Sequence, residues 1–178
     1  MDQPSWATHN RSMHKASFSA IVQADCRILI LGSLPGDASL NAGHYYAHPR
    51  NAFWPMMSQL IRTDLTALPF DQRYEQLLAH RIGLWDVVAK AQRPGSLDTA
   101  ISAAQLNPLT DLCAELTQLK LVVFNGKTAA KLGTSLMPGY IHQATVPSSS
   151  PAHTLALAEK TSQWLAQLSP YLNDDMPS

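Results

Sequence analysis

The chain is poor in cysteine, in net charge and in anything like a leader or membrane segment, and each shortage removes a class of function. Its two cysteines, Cys26 and Cys113, stand far apart. No Cys-x-x-Cys spacing occurs, so neither a zinc site nor a disulfide framework is expected. The 13 basic and 13 acidic residues cancel, which removes the overall attraction to a polyanion that strongly basic binders show. Met1 to Ser19 is polar, carries His9, Arg11, His14 and Lys15, and has no apolar core. It reads as neither a secretory signal nor a membrane span. A cytoplasmic protein without membrane contact is expected, with residues 1–17 as a flexible lead-in. His44, His48 and His142 share no short metal-ligand spacing with Cys or Asp, so no metal is assigned and no cofactor is called for.

What is present suits one ordinary core. With 178 residues and 46% hydrophobic composition, and no compositional break, residues 18–170 are expected to form one monomeric domain, with 171–178 a flexible tail. Ile28 to Leu31 is a continuous apolar run that ends in the turn Gly32-Ser33-Leu34-Pro35-Gly36-Asp37. Such a run suits a strand buried on both faces of a parallel sheet, with functional loops beyond its carboxyl end. Leu121 to Phe124, followed by Asn125-Gly126 and a helix ending at Gly133, repeats that unit. Helical spacing covers Asn51–Arg62 and Asp71–Ala79, and a third helix runs from Pro108 to about Gln118 with Asn107 as its cap. Ala89 to Gly95 reads as a loop, Tyr140 to Val146 as a short strand, and Pro147 to Pro151 as a turn at the entrance to a last helix, with a frayed tail after Pro170. The fold class that follows is α/β: a three-layer sandwich with a central, largely parallel sheet flanked by helices.

The chemistry concentrates in Tyr45-Tyr46-Ala47-His48-Pro49-Arg50-Asn51-Ala52-Phe53-Trp54. Aromatic rings offer faces on which a planar ligand can stack, and one carboxamide offers an acceptor and two donors. That pairing fits a nucleobase edge. Asn51 fits equally well as a helix cap, and the local sequence leaves the two roles open.

The turn GSLPG followed by YYAHPRNAFW resembles the uracil-DNA glycosylase superfamily, and within it the deoxyinosine (hypoxanthine) DNA glycosylases, with the mismatch-specific uracil-DNA glycosylases as near relatives. Gly83-Leu84-Trp85-Asp86, Gly95-Ser96-Leu97-Asp98, Phe124-Asn125-Gly126-Lys127-Thr128-Ala129 and Val146-Pro147-Ser148-Ser149-Ser150-Pro151 are similar to later family stretches in the same order. The resemblance spans roughly Phe18 to Trp164 and implies the same α/β architecture. It also implies a DNA-repair glycosylase that flips a deaminated base out of damaged DNA and hydrolyses its N-glycosidic bond, with hypoxanthine favoured over uracil or xanthine. Some relatives hold an iron–sulfur cluster on four cysteines, which two cysteines cannot supply.

Carried over residue by residue, the resemblance makes Asn51 the main catalytic amide, with Ser33 and Asp37 as assistants. Tyr46 is the aromatic that lies against the base, with Leu34 and Phe53 beside it as further base-binding candidates. Arg50, Lys127, Ser148, Ser149, Ser150, Pro151 and His153 are the DNA-binding candidates, and Lys131 could add a phosphate contact. Two departures stand out. Ser33-Leu34 occupies the positions where relatives carry a water-activating carboxylate or Asn, and Val146 stands where a His or Asn stabilises the departing base. These departures motivate one alternative, an inactive DNA-binding or damage-sensing module of the same fold. Another makes Ser33 the nucleophile of an acyl hydrolase, although the Gly-x-Ser-x-Gly pattern is missing.

Overall fold

The computed structural model describes residues 14–98 and 101–172. In chain order its elements begin with β1 (His14–Ala16), β2 (Ile28–Gly32), α1 (Asp37–Ala42), α2 (Phe53–Ile61), α3 (Phe70–Ala79) and β3 (Ile82–Asp86). They continue with β4 (Val88–Gln92), β5 (Ser102–Leu106), α4 (Leu109–Glu115), β6 (Leu121–Asn125), α5 (Lys127–Gly133), β7 (His142–Val146) and α6 (Leu157–Leu172).

Four strands form a parallel sheet in the order β3-β2-β6-β7. All five residues of β2 are buried, as are all five of β6, because helices cover both faces. Ile28, Ile30 and Val123 point into one core with Phe53, Met56 and Met57 of α2 and Trp164 and Leu168 of α6. Leu29, Leu31, Val122 and Phe124 point into the opposite core with Leu109 and Cys113 of α4 and Ala129 of α5. Period-two side-chain alternation thus feeds two helical layers from one strand, and each buried large apolar side chain contributes roughly 1.5–3 kcal/mol. The expected three-layer α/β arrangement is the one observed.

The parallel register lines up the strand ends. Gly32 pairs with Asp86, Leu31 with Phe124, and Asn125 with Val146. Gly32, Asp86 and Asn125 therefore end neighbouring strands along one edge of the sheet, where the connecting loops build a cavity.

Several local expectations are corrected. Ala89–Gln92, expected within a loop, belongs to β4, the centre of a separate antiparallel sheet in the order β1-β4-β5. Part of the supposed flexible lead-in, His14–Ala16, is the edge strand of that sheet, while residues 1–13 lie outside the described residues. Asn107 does not cap α4. Its side-chain amide donates instead to the Asp86 carbonyl at 2.7 Å and to the Ser17 hydroxyl at 3.1 Å. Five residues separate Pro151 from α6, and α6 runs through Pro170 to Leu172, with Pro170 giving up one backbone donor two residues before the helix ends. Tyr171 and Leu172 pack on the core rather than starting a tail, and residues 173–178 lie outside the described residues.

Candidate active site

A cavity of about 360 Å³ opens at the carboxyl edge of the parallel sheet, lined by the Gly32–Ser39 turn, Tyr45, Tyr46, His48, Asn51, Asp86, Ser96–Asp98, Asn125 and Ser148–His153. Its walls come from six stretches of chain that the fold brings together.

The Gly32–Asp37 turn is held by a buried arginine. Arg93, fully buried just after β4, donates from Nε to the Gly95 carbonyl at 2.9 Å, and its guanidinium reaches the carbonyls of Leu34 and Pro35. These bonds satisfy backbone acceptors that the turn leaves open. Within the turn, Ser33 is buried and its hydroxyl donates to Asp98 Oδ1 at 2.6 Å. Leu34 lines the cavity but packs mainly on Val88 and Ala91. Asp37 lies at the rim and its carboxylate is taken by the Lys15 ammonium from β1. That ion pair makes Asp37 a tie between the antiparallel sheet and the turn, instead of the free carboxylate an assistant in catalysis needs.

Tyr46 sits in the left-handed region at φ 54°, where a non-glycine residue costs on the order of 1–3 kcal/mol and such strain clusters at functional sites. Its neighbours are pinned. Trp54 Nε1 donates to the Tyr45 carbonyl at 3.0 Å, and the Ala47 N–H donates to Ser39 Oγ at 3.0 Å. Phe53 stacks behind the Tyr46 ring at 4.0 Å between centroids. Phe53 is itself fully buried and outside the cavity, so its expected contact with a base is corrected to a backing role beneath Tyr46.

Asn51 reaches the cavity wall, and its Oδ1 accepts the Phe53 N–H at 2.9 Å. The N-cap of α2 is Ala52, so Asn51 acts one residue ahead of the cap rather than as the cap itself. The carbonyl end anchors the start of α2, and the carboxamide nitrogen is not consumed by that bond.

The Pro147–His153 loop is fixed from below. The Ser149 N–H donates to Asn125 Oδ1 at 2.9 Å, and Asn125 Nδ2 donates to Ser149 Oγ at 2.9 Å. Trp164 Nε1 donates to the Pro147 carbonyl at 2.8 Å and Lys160 Nζ to the Ser150 carbonyl at 3.1 Å. Ser149 is buried with its N–H, carbonyl and hydroxyl oxygen all hydrogen-bonded, so it organises the loop and its expected phosphate contact is corrected. Ser148, Ser150 and Pro151 line the cavity half-buried, and His153 lines it exposed. Gly126 permits this approach. It stands at φ 96°, and a Cβ there would meet the Ser148 Cβ at 3.2 Å. Arg50 and Lys127 are exposed and lie outside the cavity lining.

Two carboxyl groups that sequence reasoning quoted only as parts of motifs prove central to the cavity. Asp98 accepts from Ser33, and burial pushes its carboxyl up, while the Ser33 bond and Arg93 oppose that rise. Asp86 is 3% exposed at the end of β3, and its Oδ2 has no hydrogen-bond partner. Burial first, then the charge of Asp98, pushes its carboxyl up to about 7, with Arg93 opposing. The Tyr46 hydroxyl is likewise buried without a partner. Burial and then the Asp86 charge push that phenol further up, with the nearby Asn125 side chain opposing, so it stays neutral. A sequence signal existed: an Asp closing the apolar strand Ile82–Trp85.

Residues 3–173 match one family description, Uracil DNA glycosylase superfamily. The chain belongs to the uracil DNA glycosylase superfamily. It is 37% identical over 152 residues to a hypoxanthine DNA glycosylase of Methanosarcina barkeri, covering 85% of this chain and 96% of that protein. A hypoxanthine DNA glycosylase of Methanosarcina acetivorans is 34% identical over 154 residues, covering 86% and 98%. The solution NMR structure of a candidate uracil DNA glycosylase from Methanosarcina acetivorans superposes with a TM-score of 0.79 at 34% identity, covering 86% of this chain and 96% of that one. Among superfamily features, the departure at Val146 gains a structural reason: Val146 is buried in the core and outside the cavity lining, so it cannot touch a departing base. Among the described residues no His, Cys, Asp and Glu group is arranged to hold a metal, and no helix is long and apolar enough to cross a membrane.

Proposed function

We propose that the protein is a monofunctional DNA repair glycosylase that takes a deaminated base, hypoxanthine first with uracil and xanthine as further substrates, into this cavity and hydrolyses its N-glycosidic bond. The product is an abasic site in DNA. The observation that carries the reading is the meeting of Tyr46 and Asn51 in one cavity of about 360 Å³ at the strand ends, a volume suited to a single small planar ligand. The names of the 37% and 34% identical relatives support hypoxanthine as the leading substrate.

The base must leave the stack, because its glycosidic carbon is unreachable in a duplex. Tyr46, backed by Phe53, offers the stacking face. Asn51, its carbonyl end anchored on Phe53, turns its amide hydrogens to a base carbonyl or to water. As the bond to the sugar lengthens, positive character develops on the sugar carbon. The Ser33 hydroxyl, oriented by Asp98, supports the attacking water from the turn. The Ser148–Pro151 loop and His153 stand at the mouth, and the exposed Arg50 and Lys127 are available to phosphates. Among the described residues no lysine lines the cavity, so a Schiff base and strand cleavage by the same protein are not expected.

The reading is tested by incubating the protein with matched duplexes that carry one deoxyinosine, uracil or xanthine and identifying the free base by chromatography. Hypoxanthine release outpacing the other two supports it. Binding to abasic or inosine duplexes without release of any base would replace it with the inactive sensing module, the reading that Leu34 and the buried Val146 favour.

A further inference from the structure

The superfamily position that stabilises the departing base is filled here by Val146, which faces the core. A purine leaving as an anion from a dry cavity needs compensation from elsewhere. The buried polar atoms without partners show where it can come from. Among the described residues three side-chain atoms are both buried and unpartnered, and two of them, Tyr46 Oη and Asp86 Oδ2, belong to residues that line this cavity. They crowd over the same backbone: a Cβ on Gly32 would lie 2.6 Å from Asp86 Oδ1 and 3.0 Å from the Tyr46 hydroxyl. The Asp86 backbone is fixed from behind, by its pairing with Gly32 and by Asn107 on its carbonyl. A rigid, native strand end holding an unsatisfied carboxyl at a ligand cavity is a group waiting for a ligand partner.

The geometry points to Asp86 as a catalytic acid that delivers its proton to the departing purine. This inference rests on the glycosylase reading above. In the step, the bond between the sugar C1′ and purine N9 breaks and its electron pair enters the base. The Asp86 O–H bond breaks and a new N–H bond forms on a ring nitrogen, so the base leaves neutral and Asp86 is left as carboxylate. Water adds to C1′ and gives up one proton, which through solvent restores the Asp86 acid. Atoms and charge balance as DNA nucleotide plus water going to abasic site plus neutral base. Hypoxanthine carries unprotonated ring nitrogens at N3 and N7 and uracil carries none, so an acid at this place favours purines over pyrimidines.

The charged and titratable groups facing Asp86 are Asp98 and Arg93, from the segment after β4, together with the neutral phenols of Tyr45 and Tyr46. Asp37, His48 and His153 line the same cavity. Asp98 keeps its own partners, Ser33 and Arg93, and so is not the free acid. With its carboxyl raised to about 7, Asp86 keeps its proton in about half of the molecules at neutral pH and in most of them below, because apolar surroundings disfavour the charged form.

The experiment is single-turnover base release from a deoxyinosine duplex and from a uracil duplex across pH 5–9, with the full chain and with Asp86→Asn, whose side chain has the same shape and no proton to give. The parent rate on inosine should fall about tenfold per pH unit above about pH 7. Asp86→Asn should be roughly 100-fold slower or worse on inosine, flat across that range, and less affected on uracil. An alkaline fall that survives in Asp86→Asn would assign it to another group and overturn the inference. So would an Asp86→Asn rate equal to the parent's. Absence of release from either duplex by the parent would sink the glycosylase reading and this inference together, whereas release indifferent to Asp86 sinks this inference alone. A titration of the carbon-13-labelled Asp86 carboxyl in the unaltered protein, free of any folding defect, should show a midpoint near 7; a midpoint near 4 overturns the proposal.

Discussion

Asn125 and Ser149 hold each other by two reciprocal hydrogen bonds of 2.9 Å each, one from the Ser149 N–H to Asn125 Oδ1 and one from Asn125 Nδ2 to Ser149 Oγ. Through this pair the end of β6 fixes the loop that closes one side of the cavity. The Ser149 carbonyl passes the restraint on by accepting the Ala52 N–H at 2.9 Å, next to Asn51.

Replacing Asn125 by Leu should cost about 2–3 kcal/mol, because it strands the buried Ser149 N–H and hydroxyl without partners. Ser149→Ala should cost only about 1 kcal/mol, since the backbone bond survives. Urea denaturation reads the difference. Hydrogen exchange at the Ser149 amide should accelerate in Asn125→Leu and stay slow in Ser149→Ala.

Under the proposed function Asn51 has a chemical role beside its structural one, and two substitutions separate them. Asn51→Ala removes the acceptor for the Phe53 N–H and should cost about 1 kcal/mol of stability, as loss of a hydrogen bond does. Asn51→Asp keeps an acceptor there and should melt within a degree or two of the parent. Both should lose base release by roughly 100-fold or more, because neither supplies the amide donor. A melt and a single-turnover assay on the same preparations check it.

Asp86 sets a pH dependence of stability whose sign is fixed. Its folded-state carboxyl is raised from 3.8 to about 7, so the folded protein binds this proton more tightly than the unfolded chain. The resulting stability is fully present below about pH 4 and is lost as pH rises through about 7. Asp86→Asn has no such loss. The difference in unfolding free energy between variant and parent should therefore grow from pH 4 to 7 in the variant's favour, reach a few kcal/mol and level off above. Denaturation series at pH 4, 5, 6, 7 and 8 read it directly.

Gly32 is the hinge of strand and turn, and its missing side chain is what lets Asp86 and Tyr46 converge. In Gly32→Ala the new methyl would sit 2.6 Å from Asp86 Oδ1 and 3.0 Å from the Tyr46 hydroxyl, so one of the two must move. The expected cost is about 1–3 kcal/mol, with far-ultraviolet circular dichroism unchanged and base release reduced at least tenfold.

The sheet's central strands were legible because burial on both faces writes an uninterrupted apolar run, as at Ile28–Leu31 and Leu121–Phe124. Helices α2 and α3 were legible for the complementary reason, one apolar face at helical spacing. β4 was not, since Val88 and Ala91 are buried around half-buried Ala89 and exposed Lys90, and register shifts against β5 break the two-residue alternation. Its partner β1 lies more than seventy residues earlier in the sequence, within what read as a polar lead-in. At the site, the aromatic and amide composition around Tyr46 and Asn51 announced a cavity wall. Which ring faces inward depended on packing: Phe53 stacks beneath Tyr46 and meets Trp164 edge-on, a contact across more than a hundred residues. The raised carboxyl of Asp86 was illegible for the same reason, because burial and the nearness of Asp98 exist only once β3 and the segment after β4 have folded together.

The most direct test of the central claim is single-turnover release of hypoxanthine from a duplex carrying one deoxyinosine, measured with the full chain in excess and with folded Asn51→Ala beside it. The expected result is stoichiometric free hypoxanthine and an alkali-labile abasic site with the parent, and almost none with Asn51→Ala. Retained duplex binding with no free base from the parent, or equal release from both proteins, would contradict it.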